Sequence, residues 1–204
     1  GGFSGKVGTV IGGNWNGINY MRGLPTSYTN PRTEAQLSQR AKFAETIKFL
    51  RPLTPFLRVG FKNAAYKMSG FNAAMSYTLK NALTGTYPAY SIDYTKVLVS
   101  RGPLAGAQNP AGDSTIPGKV DFTWENNSSD TGAQEDDKVL LVIYCPTLQK
   151  AVTVAGGSTR ITGAQSVTVP DLFSGLEVQC YIGFQDATQS VLSDSAFVAS
   201  IVCA

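Results

Sequence analysis

The feature that most constrains this chain is a change of hydrophobic period near Tyr87. Upstream, apolar residues recur at three- and four-residue spacing; downstream, they alternate. Seven strand-like runs follow the change: Ile92 to Ser100, Lys119 to Trp124, Lys138 to Cys145, Lys150 to Val154, Arg160 to Val169, Leu176 to Phe184 and Ser195 to Val202. Turn-rich segments such as Asn109-Pro110-Ala111-Gly112 and Gly156-Gly157 separate them. Val178, Cys180, Ile182 and Phe184 alternate with Glu177, Gln179, Tyr181 and Gln185, the pattern of a strand with one buried face. Seven short strands with regular turns predict an immunoglobulin-like β-sandwich. The fold class read from the chain is therefore α+β: a hairpin and helical region over 1–86, then the sandwich over 87–204.

Within the helical region, the run from Asn30 to Pro52 carries a start, a stripe and a stop. Thr33 and Gln36 have capping-box spacing, in which each side chain satisfies a backbone N–H left free in the first turn. Pro31 forces an extended entry, and Pro52 lacks the donor a helix needs. A helix over Thr33 to Arg51 follows, with Leu37, Ala41, Phe43, Ala44, Ile47 and Leu50 as its buried stripe. Arg40, Lys42, Lys48 and Arg51 lie mostly off that stripe, forming either a solvated face or a contact surface for something anionic. A second helix runs through Phe56, Val59, Phe61, Ala64, Ala65 and Met68, and a third from Phe71 to Leu83. At the N-terminus, Val7 to Ile11 and Ile18 to Arg22 flank Asn16-Gly17, a strong hairpin-turn signal. That glycine-rich hairpin, with Trp15 and Tyr20, has an open edge suited to docking.

Charge is distributed unevenly. Up to Arg101 there are seven Lys and six Arg against Glu34, Glu45 and Asp93, a net of +10; from Gly102 on, four cations face eleven acids, a net of −7. Such halves can pair within one molecule or between neighbouring copies, or the basic half can bind nucleic acid. For nucleic acid, the cations are interleaved with Tyr20, Tyr28, Phe43, Phe49, Phe56 and Phe61, which could stack on bases.

The chemistry-bearing patterns are sparse. No His is present, no C-x-x-C occurs, and neither G-x-x-x-x-G-K-[ST] nor G-x-G-x-x-G is met, so no zinc site, Cys-His pair or phosphate cradle is expected. Glu135-Asp136-Asp137 beside Asp130 lacks the alternating ligand pattern of a calcium loop and reads as a solvated acidic loop. The expectation is a non-enzyme with no catalytic residue, no cofactor and no metal. Cys145, Cys180 and Cys203 fit buried free thiols in a reducing compartment, with a Cys145–Cys180 bridge as the alternative. The longest apolar run, Val139 to Cys145, is far short of the roughly 20 residues that span a bilayer. Gly1 to Gly13 is glycine-rich and strand-like, unlike the charged-then-apolar pattern of a secretory leader.

Two resemblances add to this reading. Trp124 at the end of the second strand, the run Ser166 to Leu172 leading to Gly175, and Tyr181 resemble the second strand, fifth strand and approach to the sixth of a fibronectin type III module. Over the whole chain, FSGKVGTVIG (Phe3 to Gly12), NPRTEAQLSQR (Asn30 to Arg40) and VLSDSAFV (Val191 to Val198) resemble an uncharacterised domain-of-unknown-function family of Bacteroidota. The NPRT-x-AQ segment also resembles phage-related structural proteins. These likenesses imply no activity; they favour a bacterial or phage-linked assembly or surface role. The unpaired cysteines favour a soluble protein in a cytoplasmic or virion-associated location, with a surface or secreted one as the alternative.

The function expected is a structural or interaction protein that self-associates or joins a larger assembly. Its interface would set Arg32, Arg40, Lys42, Lys48, Arg51 and Arg58 against Asp130, Glu135, Asp136 and Asp137 of a neighbour. The alternative is a binding module for a glycan or protein, with Tyr87, Tyr90 and Tyr144 at one sheet end.

Overall fold

The structure, a computed structural model, describes residues 2–15, 17–27, 30, 32–130 and 132–204. Its compact units are Gly1–Gln39 and Arg40–Ala204, a division well before the change of period at residue 87. The physical reason is that the helices after Arg40 share a core with the sandwich strands.

In the first unit the chain forms a three-stranded antiparallel sheet in the order β1 (Gly5–Val7), β2 (Val10–Trp15), β3 (Ile18–Gly23). The run Val7 to Ile11 is not one strand, because it turns at Gly8, whose φ of +58° is a left-handed conformation that glycine adopts without cost. Trp15 pairs with Ile18, and between them Gly17 has φ +84°; Asn16, the other half of the expected turn, lies outside the described residues. Helix α1 (Glu34–Leu50) begins where Thr33 O accepts the Leu37 N–H at 3.0 Å, which makes Thr33 its N-cap. Pro31, expected to shape the entry, lies outside the described residues.

In the second unit α1 continues from Arg40. Pro52 ends the α-helix without stopping the chain, which passes through a 3₁₀ turn (Arg51–Leu53) straight into α2 (Thr54–Gly60). The second helix is thus shorter than its periodicity predicts: Phe61 is buried beyond its end, Ala64 and Ala65 are half-buried and Met68 is exposed. Helix α3 (Gly70–Asn81) is capped by Ser69, whose Oγ accepts the Asn72 N–H at 3.2 Å. A hairpin of β4 (Leu83–Thr86) and β5 (Ala89–Ile92) follows. The predicted strand Ile92 to Ser100 is instead a 3₁₀ turn at Tyr94–Lys96 and an extended segment that buries Val97 and Val99.

The sandwich has one three-stranded and one four-stranded antiparallel sheet. The first is ordered β10 (Ala164–Thr168), β7 (Lys119–Glu125), β6 (Gln108–Asp113); the second β12 (Ala196–Val202), β11 (Glu177–Gln185), β8 (Lys138–Cys145), β9 (Lys150–Thr159). This is the immunoglobulin- and fibronectin III-like arrangement expected, with Trp124 on its second strand and Tyr181 on its sixth. Its first strand, β6, comes from a stretch that reads as a turn. Asn109 and Pro110 sit where the β6–β7 register shifts between Gln108 and Ala111, a bulge that tolerates a residue with no donor.

Two cores share the four-stranded sheet. On β8, Val139, Leu141, Ile143 and Cys145 face the other sheet, joined by Val178, Cys180, Ile182 and Phe184 of β11 and by Val120, Phe122 and Trp124 of β7. Leu140, Val142, Tyr144 and Tyr181 face the opposite way, against Phe49, Leu50, Leu53, Leu57 and Phe61. Consequently β11 is buried on both faces from Val178 to Gln185, where alternation predicts one wet face. The helix face that covers it also differs from prediction: Thr46, Phe49 and Leu50 are buried, whereas Phe43 and Ile47 are each 40% exposed and Ala44 is exposed. Thr46 is admitted because its hydroxyl donates to Lys42 O at 2.9 Å. Gly60 lets the helical layer close: a Cβ there would lie 2.2 Å from Val99 O.

Arg160 is fully buried, and its guanidinium makes four hydrogen bonds and an ion pair. Nε and Nη2 each reach Asp137 Oδ2 at 3.1 Å, Nη2 also reaches Ala105 O at 2.9 Å, and Nη1 reaches Asn127 Oδ1 at 2.5 Å and Gly106 O at 3.2 Å. Its guanidinium lies 3.9 Å from the centre of the Phe184 ring, and its carbonyl accepts the Trp124 indole N–H at 2.8 Å. Burial lowers the Arg160 pKa from its usual value, and the Asp137 carboxylate opposes that fall.

Removing one member of a buried ion pair strands the other. Arg160→Met should destabilise the protein by about 3–5 kcal/mol, and Arg160→Met combined with Asp137→Leu should recover part of that loss; guanidinium unfolding midpoints measure both. The three cysteines are free and buried, so the possible Cys145–Cys180 bridge is not formed. Burial pushes the Cys180 thiol up to about 12 and raises that of Cys203. A thiol-reactive chromophore at mildly alkaline pH should therefore leave the native protein unmodified and titrate three thiols once it is denatured.

Candidate interaction surfaces

The residues expected to form a charged interface meet different fates. Asp137 does not belong to a surface edge: it is 1% exposed and bound to Arg160, because the loop closes over the buried guanidinium. Asp130, Glu135 and Asp136 remain exposed in that loop, with Asp130 Oδ2 accepting from Asn127 Nδ2 at 2.8 Å. Lys42 is half-buried with its ammonium 5.3 Å from the centre of the Tyr90 ring. Arg32, Arg40 and Arg58 are exposed. Lys48, whose ammonium is 3.9 Å from a Glu45 carboxylate oxygen, and Arg51 line an open cleft of about 630 Å³ with Pro52, Leu148 and Lys150. Lys150 joins them from the start of β9, a convergence that spacing along the chain does not reveal.

The aromatic residues sort in the same way. Of the rings expected to stack on nucleic acid, Phe49, Phe56 and Phe61 are core residues, while Tyr20 and Phe43 are exposed and Tyr28 lies outside the described residues. Of the three tyrosines expected to mark a ligand end, Tyr144 is buried, edge-on to Phe49 at 4.9 Å, while Tyr87 is exposed. Burial raises the Tyr144 phenol well above its usual pKa. Among the described residues, no group of three or more His, Cys, Asp or Glu is placed to hold a metal ion.

The most unusual surface is the N-terminal sheet. Cross-strand partners share a face, so the register sorts its side chains into two sets. One face carries Val7, Val10 and Met21, with Phe3 laid over Gly12; the other carries Lys6, Ile11 and Arg22 in one row, then Tyr20 beside Gly13, then Trp15 beside Ile18. Both faces are open: Val7 is 66% exposed, Met21 71%, Trp15 57% and Ile18 59%. Every described residue of β1 and β3 is exposed, and among the described residues the sheet builds no hydrophobic core of its own. The backbone glycines make room for overlying rings, since a Cβ at Gly13 would come within 3.0 Å of the Tyr20 ring. Sequence reasoning finds the hairpin and its open edge but not the exposure of both faces, because period-two alternation cannot distinguish a covered face from a bare one.

No curated protein matches the chain. Among solved structures, the fibronectin III domain of the human collagen α-1(XX) chain is similar at 19% identity with a TM-score of 0.33, over 50% of this chain and 88% of that one. A family model matches residues 2–199, and the chain accordingly belongs to that family, a family of unknown function designated DUF6266.

Proposed function

We propose that this protein is a non-enzymatic structural module that associates with copies of itself, using its N-terminal sheet as the docking element. The observation that carries this reading is a sheet with large apolar side chains exposed on both faces and no core of its own. Contiguous exposed apolar surface marks interaction sites, and a small sheet without a covering layer is marginal in water. The opposite charge of the two halves gives the association a polarity. Cations such as Arg32, Arg40, Lys48, Arg51 and Arg58 of one copy are attracted to acids such as Asp130, Glu135 and Asp136 of the next.

Light scattering behind a sizing column tests the reading on the full chain over a range of concentrations. The wild type should exceed the mass of one chain. The variant Trp15→Thr, Ile18→Thr, Met21→Thr keeps strand-favouring residues but removes the apolar contact. Each lost side chain is worth about 1.5–3 kcal/mol if buried, so association should weaken at least about 100-fold, with the thermal unfolding of the sandwich unchanged. A wild type with the mass of one chain at every concentration overturns the reading.

A further inference from the structure

We infer that the occupant of the N-terminal sheet is the three-stranded sandwich sheet of a second copy. The face bearing Lys6, Ile11, Trp15, Ile18, Tyr20 and Arg22 seats on the outer face of the β6–β7–β10 sheet. The inference rests on the self-association reading and gives it a surface and a polarity.

Charge selects the partner. Residues 1–33 contain no Asp or Glu, and Lys6 and Arg22 flank Ile11 across three strands in one row. Packing this face on its own copy would set cations against cations, so a symmetric contact through it is opposed. The receiving face is acidic. On β7, Val120, Phe122 and Trp124 point inward, which turns Asp121, Thr123 and Glu125 outward. Asp113 of β6 lies directly opposite Asp121 in the register, and like charges in that position destabilise a sheet unless a cation intervenes. Only Lys119 offsets Asp113, Asp121 and Glu125 on this face among the described residues. The Ser166 hydroxyl donates to Asp121 Oδ1, which holds that carboxylate in place across β10.

Shape agrees with charge. Next to the Asp113–Asp121–Ser166 row comes a row of small residues, Ala111–Thr123–Ala164, all exposed. Rows on one face of a strand repeat every two residues, about 7 Å apart in any sheet. Setting Lys6 and Arg22 over Asp113 and Asp121 therefore brings Tyr20 over the small row and Trp15 and Ile18 toward Glu125. Sheets pack face to face at about 10 Å, and the small row leaves room for the bulky rings at that spacing. The outer face of the other sandwich sheet is already covered by helices, so β6–β7–β10 is the sandwich face left for a partner. Because the two contacting surfaces differ, the contact is head-to-tail and can propagate from copy to copy.

Charge exchange on the full chain tests the inference. Lys6→Glu with Arg22→Glu forms one variant, and Asp113→Lys with Asp121→Lys the other; unfolding midpoints confirm that each stays folded. Each alone should self-associate at least tenfold more weakly than wild type in light scattering, and an equimolar mixture should recover assembly, since each altered surface then meets its complement. Added salt should weaken wild-type association by screening the same pairs. Assembly that persists in both variants overturns this interface while leaving self-association standing. Loss in both without recovery on mixing overturns the pairing of these two surfaces. A wild type with the mass of one chain overturns the interface and the self-association reading together.

Discussion

The buried guanidinium of Arg160 ties together the parts of the sandwich that the strand ladders do not. Its four hydrogen bonds and its ion pair run to the 105–106 segment, to Asn127 and to Asp137. Its carbonyl holds the indole of Trp124 on one sheet, and its cation rests on Phe184 of the other. Asp137 immediately precedes β8, so the ion pair sets where that strand enters the four-stranded sheet. A buried cation is tolerated only when every donor is met and a counter-charge is adjacent. The acidic loop is shaped by that requirement, which draws Asp137 inside and leaves Asp130, Glu135 and Asp136 outside.

The second constraint is the four-stranded sheet itself. Tyr144 and Tyr181 stand on the face away from the sandwich core, and Tyr181 Oη donates to Tyr94 O at 3.0 Å. Large side chains on that face require a cover, and the helices after Arg40 supply it through Phe49, Leu50, Leu53 and Leu57. The helical layer and the sandwich are therefore one compact unit, although their sequence periods differ.

The N-terminal sheet obeys neither constraint. Its strands pair correctly and its turns use glycine where a left-handed conformation is needed, yet among the described residues its large apolar side chains stay exposed and build no core of their own. Backbone pairing alone holds a small sheet weakly, so a covering layer would add what the sheet lacks. A basic, acid-free sheet and an acidic sheet face on the sandwich are suited to meet between copies, and the contact would be both apolar and charge-matched.

Much of this was legible in the order of residues. Period-two runs determined β7, β8, β11 and β12 nearly to their ends, the Thr33 cap and Gly17 turn marked a local start and a reversal, and the charge asymmetry is a property of composition. These are local signals, set by backbone sterics and side-chain alternation within a few residues. The tertiary structure alone decided that Asn109 and Pro110 lie in a strand, that Asp137 is buried while its neighbours are not, and that Phe43 and Ile47 face solvent while Thr46 faces the core. It also decided that both faces of β11 are covered and both faces of the N-terminal sheet are bare. Each of those outcomes depends on what packs against a residue from a distant part of the chain, and alternation or helical spacing specifies a face without specifying its neighbour.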